Sequence, residues 1–200
     1  MDIEISLKHV AEMMSARGLP DEDVASFLRE ASDVHKPTFY SDSVTLHVGD
    51  KACIIYILSK NTKEIWKKMK DLTAEKFAEE FGYNTFIIIT TEKPTTANNN
   101  AMETLNTELA KVGGKMQNFI MKELRYNPAN HVLVPKHEKI TDEEVKVLLE
   151  NHMLKSPFQL PHISKGDIMA RYLGLRHGDV VRITRINDTS GSCFYYRCCM

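Results

Sequence analysis

The chain lacks any long apolar run. Its longest, Ile54 to Leu58 and Phe86 to Ile89, fall far short of the ~20 residues that span a bilayer. No membrane association is expected. A surplus of either charge is also missing: 26 Lys and Arg stand against 27 Asp and Glu, a net −1 over 200 residues. Strong independent binding to duplex DNA is therefore not expected, because affinity grows with the number of phosphates neutralised. Cysteine is scarce. Cys53, Cys193, Cys198 and Cys199 form no C-x-x-C pair, so neither a zinc knuckle nor a thioredoxin-like site is expected. The opening MDIEISLKHV is acidic at once and has no continuous apolar stretch. It reads as no secretory signal, and the thiols are expected to stay reduced inside a cell. With 42% apolar and 26% charged residues the composition is ordinary. That excludes a disordered tail, a collagen-like rod and a disulfide scaffold.

Catalytic signatures are absent too. There is no G-x-S-x-G and no H-E-x-x-H. Gly113-Gly114-Lys115 superficially matches a phosphate loop, but Met116 stands where Ser or Thr should hold magnesium. An α/β nuclease would place an acid two residues before a Lys on a central strand. The pair with that spacing, Glu144 and Lys146, falls on a helix pattern instead. The eight His are scattered, and His131 and His137 in HVLVPKH have no spacing that aims both at one metal. No catalytic residue, metal or cofactor is expected.

What is present divides the chain in two. Residues 1–130 carry a net −3 and residues 131–200 a net +2, with a turn-rich Asn127-Pro128-Ala129-Asn130 between them. In the first part Ile5, Val10, Met13 and Met14 predict one helix face, closed by Gly18 and Pro20. Asp21 to Ala31 predicts a second helix with Val24, Phe27 and Leu28 inward. Val44, Leu46 and Val48 alternate as a strand, Gly49-Asp50 turns, and Ala52 to Leu58 is a buried strand. Helices are expected over Asn61 to Leu72 and Thr73 to Phe81, then a strand over Thr85 to Thr90. This order predicts an α/β domain. In the second part Thr141-Asp142-Glu143-Glu144 is a capping box, with Ile140 and Val145 at the staple positions. Val145, Leu148, Leu149, His152 and Met153 continue its apolar stripe. Asp167 is expected to cap a short helix ending at Leu173-Gly174. Val180 to Ile186 and Cys193 to Cys199 form a terminal hairpin around the turn Asn187 to Ser192. The predicted fold is thus an α/β domain over 1–130 plus a small α+β domain over 131–200.

Two places offer phosphate chemistry. Lys60, Lys63, Lys67 and Lys70 line one face of a helix pattern, which is a solvated face or a phosphate-facing ridge. Lys93-Pro94-Thr95-Thr96-Ala97-Asn98 follows a buried strand and opens a helix whose apolar face is Met102, Leu105 and Leu109. Free amides and small hydroxyls there can hold a phosphate, or Thr95 or Thr96 simply caps the helix.

The stretch from His131 to Met200 carries a longer set of ordered motifs. They are Leu133-Val134-Pro135-Lys136-His137, Gln159-Leu160-Pro161, Asp167, Ala170-Arg171-Tyr172-Leu173-Gly174-Leu175, Gly178 and Tyr196-Arg197. This series resembles the C-terminal assembly domain of the fifth-largest subunit shared by eukaryotic nuclear RNA polymerases. The archaeal counterpart of that subunit consists of this domain without an N-terminal jaw. The family usually has Glu at Val132, Arg at His162 and Pro at Ile168, which marks a divergent member. Residues 1–130 match the size of the N-terminal jaw domain of the eukaryotic proteins. Thr95-Thr96-Ala97-Asn98 stands where the family has a Thr-Pro-Ser-Ala segment facing downstream DNA.

The resemblance implies a non-catalytic structural subunit of DNA-directed RNA polymerase in a hetero-oligomer. Its partners would be the largest subunit, the other polymerase subunits and downstream duplex DNA. The assembly contact would fall on Pro135, Lys136, His137, Asp167, Arg171, Tyr172, Leu173, Gly174, Tyr196 and Arg197. Lys93, Thr95, Thr96, Asn98 and Asn99 would lie nearest DNA. The location would be the nucleus, or a cytoplasmic factory for a viral polymerase. The alternatives are an α/β nuclease-like enzyme or a free transcription adaptor whose hairpin extends a partner's sheet.

Overall fold

The computed structural model describes residues 2–34, 43–48, 52–57, 85–111, 113–187 and 191–200. The Gly49-Asp50 turn, Leu58, the two helices expected between 61 and 81, and the Lys60, Lys63, Lys67 and Lys70 ridge lie outside them. The chain forms two compact units, Met1–Tyr126 and Asn127–Met200. The composition shift puts the joint slightly later, after residue 130.

In the first unit, helix α1 (Asp2–Ala16) packs on α2 (Asp21–Val34). Ser6, Leu7, Val10, Ala11, Met13 and Met14 form the buried arc of α1. Ile5, expected on that face, is 39% exposed. Met14 lies nine residues further on, about two and a half turns at 3.6 residues per turn, and so on the opposite side. In α2 the inward pair is Phe27 and Ala31, one turn apart, and Leu28 faces out. Asp21, Glu22 and Asp23 occupy the first turn of α2, where the helix dipole favours negative charge.

Four strands follow: β1 (Ser43–Val48), β2 (Ala52–Ile57), β3 (Thr85–Thr90) and β4 (Lys115–Ile120). They lie in the order β1-β2-β3-β4. β1 runs antiparallel to β2, and β2, β3 and β4 run parallel. Phe86 to Thr90 are all buried, as a strand covered on both faces requires. Helix α3 (Thr96–Lys111) crosses from β3 to β4 and buries Leu105 and Leu109. His9 Nδ1 lies 2.8 Å from the carbonyl of Leu124 and ties α1 to the 3-10 turn at Met121–Arg125.

In the second unit, β5 (Lys136–Lys139), β6 (His162–Ile163), β7 (Val180–Asn187) and β8 (Gly191–Cys199) form a sheet ordered β5-β7-β8-β6. Helix α4 (Asp142–Asn151) starts at the expected capping box. Thr141 N–H donates to Glu144 Oε2 at 2.9 Å, and Glu144 N–H donates to Thr141 Oγ1 at 3.3 Å. Ile140, Leu148, Leu160, Val180 and Cys198 form a core, against which Val145, Leu154 and Tyr196 pack. Helix α5 (Ile168–Tyr172) is capped by Asp167, whose Oδ1 accepts from Met169 N–H at 2.8 Å and Ala170 N–H at 3.4 Å.

The stripe of α4 ends earlier than its sequence pattern implies. His152 is exposed and Met153 is 92% exposed. Leu154 N–H bonds Leu149 O at 2.8 Å and Met153 N–H bonds Glu150 O at 3.1 Å, so the helix closes in a Schellman turn. Met153 takes the left-handed position with φ 53°. Its side chain contributes no packing there and keeps the strain of a Cβ. Met153→Gly is therefore expected to stabilise the second unit by about 1 kcal/mol, read from its denaturation midpoint at constant slope.

The cysteines differ in access. Burial, aided by the charge of Glu30, pushes the Cys53 thiol up to about 12. Burial first, then Cys199 and Asp179, raises Cys198. Cys193 is half-buried. Thiol labelling of the native chain at mildly alkaline pH is expected to modify Cys193 first. Cys53 and Cys198 should react only on unfolding, because the thiolate is the reacting species.

Candidate assembly surface and nucleic-acid interface

The first candidate surface springs from the end of β3. Lys93 and Thr95 sit in the short exposed link from β3 to α3, and Thr96 opens the helix. Thr95 acts through its backbone: its carbonyl accepts from Asn98 N–H and Asn99 N–H, both at 3.0 Å. Lys93, Thr95 and Thr96 are exposed, and Asn98 and Asn99 are half-buried. The sequence therefore brings one Lys, two hydroxyls and two amides to one helix start. At the root of this link, the Thr90 hydroxyl is buried with no hydrogen-bond partner among the described residues. Gly113-Gly114 is no phosphate loop. Gly114 N–H bonds Leu109 O at 2.8 Å and Gly113 N–H bonds Ala110 O at 3.2 Å, with Gly113 at φ 78°. The pair closes α3.

The second candidate surface belongs to the C-terminal unit. Pro135 leads into β5, where His137 Nδ1 lies 2.6 Å from the Pro135 carbonyl. Lys136 pairs with Thr184 and His137 with Ile183 across to β7. Val132 and Leu133, just ahead, are 97% and 84% exposed. Arg171-Tyr172-Leu173-Gly174 forms the end of α5. Leu175 N–H bonds Ala170 O at 2.9 Å and Gly174 N–H bonds Arg171 O at 3.1 Å, with Gly174 at φ 66°. A Cβ there would be strained, which accounts for the glycine. Tyr172 and Leu173 are buried, so they shape this surface from beneath, and Arg171 is half-buried. Asp167 is spent on capping. Tyr196 packs on the core, and Arg197 donates from Nη1 to His162 O at 3.3 Å, bracing β6 against β8.

Arg182 was not singled out by sequence reasoning. It stands opposite Glu138 on β5, with Nη2 3.2 Å from Glu138 Oε2 and Nη1 3.9 Å from Glu144 Oε1. Its guanidinium lies 5.5 Å from the centroid of the Phe194 ring. The Lys136 hydrogen bond, at 2.6 Å, chiefly holds the Glu138 carboxyl below its usual range, with Arg182 adding to it against partial burial. The only advance signal was alternation in VVRITRIN, which puts Arg182 on the same face as Val180.

No three His, Cys, Asp or Glu among the described residues group to hold a metal. Glu144, half of the nuclease-like pair, is committed to capping α4 and to Arg182. No helix among the described residues is long and apolar enough to cross a membrane.

Comparison with known proteins adds an independent line. Residues 126–199 match the family model of RNA polymerase Rpb5, C-terminal domain. Over 82 residues the chain is 44% identical to the DNA-directed RNA polymerases I, II, and III subunit RPABC1 of Caenorhabditis briggsae, and equally to that of Caenorhabditis elegans. The aligned stretch covers 41% of this chain and 38% of each relative, so the chain spans well under half the length of these relatives in alignment. Over its C-terminal unit, then, the chain is similar to the C-terminal domain of the Rpb5 subunit of RNA polymerases.

Proposed function

We propose that the chain is a non-catalytic structural subunit of a DNA-directed RNA polymerase. The observation that carries this is the match over residues 126–199, the span of an independently compact unit. In this reading Asn127–Met200 is the assembly domain and docks on the largest subunit. Pro135, Lys136, His137, Arg171, Tyr196 and Arg197 border the contact. Met1–Tyr126 is the jaw, reaching toward downstream DNA. The chain works in the nucleus, or in a cytoplasmic factory if the polymerase is viral. Affinity purification of the native protein tests the reading. Recovery with the two large polymerase subunits is expected, and recovery alone would overturn it.

The jaw contacts DNA through Lys93, Thr95, Thr96, Asn98 and Asn99. These contacts fall on phosphates and not on bases, so they position the duplex without reading it. A net charge of −1 is no obstacle, since neighbouring subunits hold the jaw in place and supply effective concentration. Each lost phosphate contact is expected to flatten the salt dependence by about one unit of slope. Site-specific crosslinking in an assembled elongation complex discriminates the rival ridge. Crosslinks to downstream DNA are expected from position 96. Crosslinks only from position 67 would transfer the role to the lysine ridge.

A further inference from the structure

Among the described residues, β8 is paired along nearly its whole length on one side and only at its C-terminal end on the other. Gly191 to Cys198 all pair with β7, in a regular register without a bulge. On the outer side β6 meets only Cys198 and Cys199. The direction of the backbone groups follows from three bonds. Cys198 N–H points outward to Pro161 O at 2.9 Å, as does Met200 N–H to Ile163 O at 3.0 Å. Cys199 N–H points inward to Asp179 O at 2.8 Å. Direction alternates along a strand, so Ser192, Phe194 and Tyr196 also turn their N–H and C=O groups outward. No strand among the described residues meets them there.

Exposed edges are ordinarily blunted by Lys, Pro or a bulge. Gly191-Ser192-Cys193-Phe194-Tyr195-Tyr196 has none of these. Phe194 and Tyr195, on opposite faces, are 58% and 45% exposed. Neither β7 nor β8 carries a carboxylate. Arg185 lies 4.7 Å from the Tyr195 ring centroid, on the face that Arg197 shares.

We propose that Ser192–Tyr196 takes up an extended, acidic segment of a polymerase partner chain as an added strand. The added strand lies in line with β6. Its backbone bonds Ser192, Phe194 and Tyr196. An apolar side chain rests on Phe194, and a carboxylate on the other face meets Arg185 and Arg197. A second copy of this chain is the poorer occupant, because it brings the same arginines and no carboxylate to the edge. The proposal rests on the polymerase reading above.

Amide-resolved hydrogen exchange on the full chain, alone and in the affinity-purified polymerase, tests it. The amides of Phe194 and Tyr196 are expected to exchange fast in the free chain and to slow about tenfold or more in the complex. Those of Tyr195 and Arg197, bonded to β7, are expected to be protected in both. Co-purification without that slowing would overturn the added strand and leave the polymerase reading intact. Failure to co-purify would overturn both. Protection that grows with the concentration of the free chain would assign the edge to self-association instead. Phe194→Pro removes an outward N–H and spares the β7 ladder, whereas Phe194→Ala keeps the N–H. Co-purification is expected to fall about tenfold more for Pro than for Ala. If the Pro variant does not fold, the exchange of the unmodified chain decides.

Discussion

Removing Tyr195–Met200 is expected to unfold the whole C-terminal unit. The deletion takes away Cys198 and Cys199, both fully buried, and the β8 half that pairs Val180 to Ile183. It also takes the strand that β6 pairs with, and the Met200 backbone, which bonds Ile163 and Lys165. Val180, Val181 and Ile183 would lose their cross-strand partners at once. Burial of two or three such side chains is worth about 5 kcal/mol, comparable to the stability of a small domain. Circular dichroism and thermal melting should show that the truncated chain has lost one cooperative transition. It should also fail to join polymerase, but loss of folding would account for that by itself. Single substitutions at exposed positions are therefore the sound probes of the contact.

Phe86→Ala is expected to cost the N-terminal unit about 3–5 kcal/mol. Phe86 is fully buried on β3, paired with Cys53 on β2 and Met116 on β4. A strand covered on both faces cannot collapse into the vacated space without shifting its neighbours, so most of the cavity persists. If the two compact units unfold independently, calorimetry should resolve two transitions, only one of them moved by this substitution. A single transition moved as a whole would mean that the units unfold as one.

What is legible in the letters alone is local or dense in signal. Capping chemistry acts within three residues, so Thr141 and Glu144, and Asp167 before α5, can be placed without knowing the fold. The β3 run Phe86 to Ile89 needs no partner to be recognised as doubly buried. The errors at Ile5, Leu28 and Met153 share one cause. An apolar residue near a helix face was counted as part of it, but the covered arc is set by what packs there. α4 ends at Asn151, and Met153, the last apolar letter of its stripe, is itself the left-handed residue of the closing turn. Arg182 was missed because Glu138, its partner, lies on another strand far away in sequence. The ordered series from Leu133 to Arg197 could be found in the letters, yet what each of its residues does within the unit could not. Tyr172 and Leu173 build the unit from within, and Gly174 serves backbone geometry.

The parallel order β2-β3-β4 also bears on synthesis. β3 cannot be closed by its own hairpin, because parallel neighbours need long crossovers. Its second edge waits for Lys115–Ile120, after α3 has left the ribosome. At ~5–20 residues per second, the apolar run Phe86 to Ile89 spends on the order of seconds with one side unpaired. The C-terminal unit, dominated by the β7–β8 hairpin, closes most of its sheet over a short loop. The N-terminal unit is thus the part of the nascent chain whose apolar strand waits longest for its second neighbour.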